Sequence, residues 1–155
     1  MRCLFALHIY LKGTAENSDP YILFDKVIDY TMGLESLYLL KEEWHRRRRL
    51  SRRVSYLLAK DENEENELCE LVMRFHEIRN DIVHASLVNR EDAEFLSENI
   101  YVYEDILRKS ILGFLDLNLK IQTKEELLNK IDVSKSEPEV RKEIHESLKL
   151  LEMAG

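Results

Sequence analysis

The residues best equipped for chemistry lie in one stretch, Phe75-His76-Glu77-Ile78-Arg79-Asn80-Asp81-Ile82-Val83-His84. A guanidinium fork matches phosphate geometry and stays charged at any physiological pH. An imidazole titrates near neutrality and can give or take a proton. Arg79 and His84 therefore place an anion clamp and an acid–base group near one another, and Asn80 adds a neutral hydrogen-bonding group between them.

These residues must be held by a helix. Leu68, Leu71, Val72, Phe75, Ile78 and Ile82 recur at spacings of three and four, which makes one apolar stripe on a 3.6-residue period. Arg79 sits about 40° from the middle of that stripe, and His84 lies roughly 140° further round and about 7.5 Å further along. An arginine so close to a core face needs a carboxylate or a ligand, because an unpaired buried charge is very costly. The arc between the two carries Val72, His76, Asn80 and Val83. It forms a second, mixed face suited to meeting another protein surface, with a homodimer as the expected use.

Arg-x4-His at a helix end, with Asn directly after the Arg, resembles the signature of the HEPN superfamily. Upstream segments resemble the ApeA-like branch of that superfamily, in order and at familiar distances. They are Gly33-Leu34-Glu35-Ser36-Leu37 and Leu50-Ser51-Arg52-Arg53-Val54-Ser55-Tyr56-Leu57-Leu58, ahead of Glu77–His84. Leu107-Arg108-Lys109-Ser110-Ile111-Leu112 and Leu127-Leu128-Asn129-Lys130-Ile131-Asp132 extend the likeness, which covers about residues 20–133. The family pattern begins upstream of this chain's first helix, so a short stand-alone version or a piece of a longer protein is expected. Ala85 departs from the pattern, in which Gly usually follows the His.

The resemblance implies a metal-independent endoribonuclease acting through 2′-hydroxyl transesterification. Such cleavage needs a base for the hydroxyl proton, an acid for the leaving oxygen and a cation for the transition-state charge. His84, Arg79 and Asn80 are the implied catalytic set, and one set is half a site. A homodimer would join two motif helices, and the products would be a 2′,3′-cyclic phosphate and a 5′-hydroxyl. Glu35, Arg53 and Asp81 are the implied supporting residues. An antitoxin or a larger defence complex is an implied partner. The competing reading is a non-catalytic HEPN module that binds RNA or nucleotide or serves as a dimerising sensor. An unrelated helical interaction protein is the third.

Glu35 falls between Leu34 and Leu37 near a core face and needs a cation. An interhelical pair with Arg53 or Arg79 is expected, against the alternative of a surface carboxylate. Residues 45–53 carry six arginines in nine positions. The stretch from Lys41 to Arg53 is +5 by count, which leaves −12 on the rest of a chain of net charge −7. Arg46, Arg47, Arg48, Arg49 and Arg52 are candidate RNA contacts, because basic side chains supply most sequence-independent nucleic-acid affinity. A solvated helix start, or a patch facing the acidic segment that follows, fits equally well. Trp44 beside the block suits base stacking, although a lone Trp at a helix end packs more often.

The 155 residues are enough for one domain with a real core. With 45% hydrophobic and 34% charged residues, four Gly and two Pro, there is little material for strands and turns. We expect an all-α, up-and-down bundle of four to five core helices with appended C-terminal helices. The expected helices cover residues 2–12, Pro20 to about Glu43, a segment after Asp61, about Glu91 to Asn118, Thr123 to about Asp132, and 136–153. Asp61-Glu62-Asn63-Glu64 and Thr123-Lys124-Glu125-Glu126 read as capping boxes. His8 reads as a packed histidine, and Cys3 and Cys69 as core residues in a reducing compartment. The acidic run at residues 61–67 lacks the Gly and alternation of a calcium loop, and no zinc, phosphate-loop or serine-elbow pattern occurs. No metal or cofactor is expected. No stretch is long enough to span a bilayer, and a cytoplasmic location is the default.

Overall fold

Residues 20–84, 88–118 and 123–148 are described by the computed structural model, and they form six helices with no strand among them. These are α1 (Pro20–Tyr38), α2 (Arg46–Leu58), α3 (Glu62–Val83), α4 (Arg90–Asn118), α5 (Lys124–Val133) and α6 (Pro138–Glu146). The all-α bundle is the observed class. The expected helix over residues 2–12, with Cys3 and His8, lies outside the described residues, as does Ala85.

Local chemistry explains where three of the six helices begin. Asp61 is the N-cap of α3 and its Oδ1 accepts the Glu64 N–H at 2.9 Å. The reciprocal arm reaches one residue further back than expected: Glu64 Oε2 accepts the Lys60 N–H at 2.8 Å. At α5 the box closes fully, with Thr123 accepting from Glu126 N–H and Glu126 accepting from Thr123 N–H. Thr123→Ala should therefore cost about 1 kcal/mol, measurable as a lower urea midpoint with an unchanged slope. Pro138 opens α6 at a position where its missing N–H loses no bond.

Helix α1 stops at Tyr38 rather than near Glu43, and the cause is tertiary. The Tyr38 carbonyl accepts from Arg53 at 2.7 Å, while Lys124 Nζ donates to the Ser36 and Leu39 carbonyls. Cations from α2 and α5 thus take the acceptors that another helical turn would need. The chain then folds back so that Glu43 Oε2 accepts the Leu40 N–H.

Helices α2 and α3 run antiparallel, since Arg47 meets Glu77 while Ser51 meets Cys69. Helices α1 and α4 run in the same direction. Tyr30 donates to Glu104, Thr31 meets Tyr103, and the Tyr38 hydroxyl donates to Ser110 Oγ. Phe75 of α3 lies between Phe95 and Tyr103 of α4, stacked on the latter at 3.9 Å. Gly113 marks a close approach, where a Cβ would stand 3.3 Å from Leu57 Cδ2 and 3.5 Å from Leu148 Cδ2. Ile144 and Leu148 are buried, so the C-terminal segment docks on the bundle at least as far as Leu148. Tyr103 is fully buried, whereas Tyr101, two residues earlier on the same helix, is largely exposed.

The second, mixed face of α3 does not exist as a free surface. Val72 and His76 are buried inside the protomer, and of the residues assigned to a dimer contact only Val83 is exposed. α1 supplies the reason: Glu35 lies against His76 and draws that side of α3 inward.

Candidate functional site

The last two turns of α3 carry a connected polar chain. Arg79 Nη1 donates to Asn80 Oδ1 at 3.0 Å, and Asn80 Nδ2 lies 3.3 Å from His76 Nδ1. His76 Nε2 lies 3.2 Å from Glu35 Oε1. The amide's oxygen is committed to the arginine, so its nitrogen must face the ring. His76 Nδ1 then accepts, and Nε2–H donates to Glu35. Position i and i+4 on one helix bring His76 and Asn80 together.

Burial pushes the Glu35 carboxyl up. The hydrogen bond from His76 and the charges of Arg46 and Arg79 outweigh that and bring it below its ordinary value. Arg46 Nη2 stands 3.7 Å from Glu35 Oε2. Glu35 is therefore a half-buried carboxylate between α1, α2 and α3, with His76 and Arg46 as its contacts. The expected Glu35–Arg53 pair does not form. Arg79 acts on Glu35 through its field, without an ion pair at contact distance. Its Nε is buried and has no hydrogen-bond partner among the described residues.

Arg53 belongs to a different cluster. It is 2% exposed, donates to both oxygens of Asp132, to Glu43 Oε2 and to the Tyr38 carbonyl, and its Nη2 stands 2.8 Å from Glu43 Oε1. It ties α2 to α5 and to the α1–α2 loop, away from Glu35. Asp81 is exposed, and no hydrogen bond or ion pair joins its carboxylate to another described residue.

His84 caps α3, its backbone N–H donating to the Asn80 carbonyl at 2.9 Å, and its side chain is exposed. It stands outside the Arg79–Asn80–His76–Glu35 chain. The structure thus joins Arg79 and Asn80 directly, and adds His76, which the sequence reading had assigned to a partner surface. Its spacing of four from Asn80, together with Glu35's need for a donor, was the available signal.

The arginine block divides by helix face. Arg46 and Arg47 turn toward acids of α1 and α3, Arg47 meeting Glu77 at 2.6 Å. This sets the start of α2 beside the motif end of α3. Arg48, Arg49 and Arg52 instead line a cavity of about 380 Å³ with His45, Tyr56 and Asp132. Trp44 is 84% exposed, so it is not a packing residue.

Among the described residues no group of three or more His, Cys, Asp or Glu side chains could hold a metal ion, and no helix is long and apolar enough to cross a membrane. Cys69 is a free, half-buried thiol beside Ser51. No protein-family model, curated protein or solved structure matches the chain.

Proposed function

We propose that the chain is a HEPN-type, metal-independent endoribonuclease, with Arg79 binding the scissile phosphate and His84 moving the proton. One observation carries the reading. Asn80 holds the Arg79 guanidinium while its Nε–H is left without a partner, and an exposed imidazole stands five residues further along the same helix end. A fixed, always-charged donor fork suits the phosphorane-like transition state. An exposed imidazole suits acid–base exchange with an incoming 2′-hydroxyl. His76 and Glu35 have a positioning role, because they orient Asn80 and through it Arg79.

One histidine cannot be base for the attacking oxygen and acid for the leaving oxygen in the same instant. A second copy meeting the first at the exposed Val83–His84 end of α3 would supply the other. Light scattering at micromolar concentration should accordingly give a dimer mass, and a strict monomer would remove the composite site.

The chemistry is tested by incubating purified protein with mixed RNA in EDTA. Cleavage should persist and leave 2′,3′-cyclic phosphate and 5′-hydroxyl ends. A second reading, a phosphate-binding module without catalysis, draws on the separation of His84 from the connected chain at Arg79. RNA binding without cleavage of any RNA would select it.

A further inference from the structure

The start of α2 holds positive charge that the fold does not neutralise. Arg48, Arg49, Arg52 and Tyr56 fall within an arc of about 100° round α2, so they share one side of the helix. That side lies roughly 150° round α2 from Arg47, which faces α3. The guanidinium groups of Arg48 and Arg52 make no hydrogen bond or ion pair with any described residue, and both side chains are exposed to the cavity they line. Arg49 is 3.7 Å from Glu43, but that carboxylate is already bonded through both oxygens to Arg53. Asp132, the acid in the cavity wall, is likewise committed to Arg53 through both oxygens.

The helix end adds to the same field. His45 is the N-cap of α2 and makes no capping hydrogen bond, and the first turn contains no acid. His45 is also the one non-glycine with positive φ among the described residues, at φ 55° and ψ 41°. Left-handed backbone at such a residue costs free energy that the fold must offset. Here it brings the chain round so that the imidazole joins the arginines on the cavity wall. Three guanidinium forks, an imidazole and a phenol line one opening with a single carboxylate, that of Asp132, so donors outnumber acceptors there.

We propose that this cavity between α2 and α5 is a phosphate-binding site, with Arg48 and Arg52 as the principal ligands and Arg49, His45 and Tyr56 as further donors. The recognised chemistry is a phosphate group, carried either by a free phosphorylated small molecule or by the backbone of RNA. The site does not depend on the cleavage reading, because its residues lie on the side of α2 away from α3. Its size suits a phosphate with the sugar or short chain attached to it.

Calorimetry on the full chain tests this with three probes. They are inorganic phosphate, adenosine 5′-monophosphate, and a 5′-hydroxyl, 2′-O-methyl oligoribonucleotide, which cannot be cut through its 2′-oxygen. At least one should bind in a salt-dependent way. Arg48→Ser and Arg52→Ser should each weaken that binding about 10-fold. Arg47→Ser, which removes the same charge from the same helix, should leave it near wild type. Both pocket arginines are exposed, so melting temperatures should not change, and Arg52→Lys separates loss of the fork from loss of charge. Binding of the free phosphates identifies a small-molecule site, and binding of the oligonucleotide alone identifies a backbone site. If no probe binds, or if Arg47→Ser weakens binding as much as Arg48→Ser, the pocket is not a site. RNA cleavage by the wild type is scored separately, so either proposal can fail while the other stands.

Discussion

His84→Ala should reduce RNA cleavage by about 10² to 10⁴, the usual range for losing a general acid or base, and leave the fold as it is. The side chain is exposed at the end of α3, and the residue's cap to the helix is a backbone N–H to the Asn80 carbonyl, which alanine keeps. Thermal melts of the two proteins should therefore superimpose, and the whole loss should appear in the cleavage rate. Arg79→Ala should be equally inactive for a different reason. It removes the phosphate clamp, frees Asn80 Oδ1, and takes away a charge that helps hold Glu35 ionised. His76→Ala supplies a further contrast: it removes the side-chain hydrogen bond to a half-buried carboxylate, so stability should fall along with activity. His145→Ala, on α6, should cleave normally. Cleavage surviving in a rigorously purified His84→Ala protein would overturn the assignment of the acid–base group.

Much of this was legible in the residue pattern, and what was missed has a common cause. Periodicity and caps located α3, α4 and α5 closely, because those signals act within a few residues of where they are written. Arg79 and Asn80 could be read as neighbours for the same reason, whereas His84 stands apart from their hydrogen-bonded chain. Which cation meets which carboxylate could not. Glu35 and Arg53 each carried a local sign that a partner was required, yet the choice depends on how helices far apart in the chain cross. Glu35 takes His76 and Arg46, and Arg53 takes Glu43 and Asp132. The early end of α1 has the same origin, since it requires donors from α2 and α5. The mixed face of α3 was misread because apolar periodicity shows that a side is buried without showing whether the same chain or a second copy buries it.

Arg53 should be the most costly single side chain to remove, because a guanidinium only 2% exposed makes four hydrogen bonds and a further ion-pair contact. Arg53→Met keeps the aliphatic bulk but leaves Glu43, Asp132 and the Tyr38 carbonyl unpaired around an apolar group. Breaking a buried ion pair by removing one partner typically costs about 3 to 5 kcal/mol, which for a chain of this length is roughly 6 to 20 °C in melting temperature. The pH dependence identifies the source. Burial pushes the Glu43 carboxyl up, but its bonds from Arg53 and the Leu40 N–H and the charge of Arg49 bring it below its ordinary value. A carboxylate depressed in the folded state contributes stability that is fully present above its unfolded pKa and is lost as pH falls through the folded one. Wild-type stability should thus decline below the ordinary glutamate range as Glu43 takes up its proton, and urea unfolding from neutral to acid pH would follow it. In Arg53→Met the same carboxyl is buried without its cation, so its pKa should rise instead. That contribution then reverses sign, and the variant should lose less stability on acidification, or gain some. A variant as stable as wild type at neutral pH, with a parallel pH profile, would show that the arginine cluster does not hold α2 to α5.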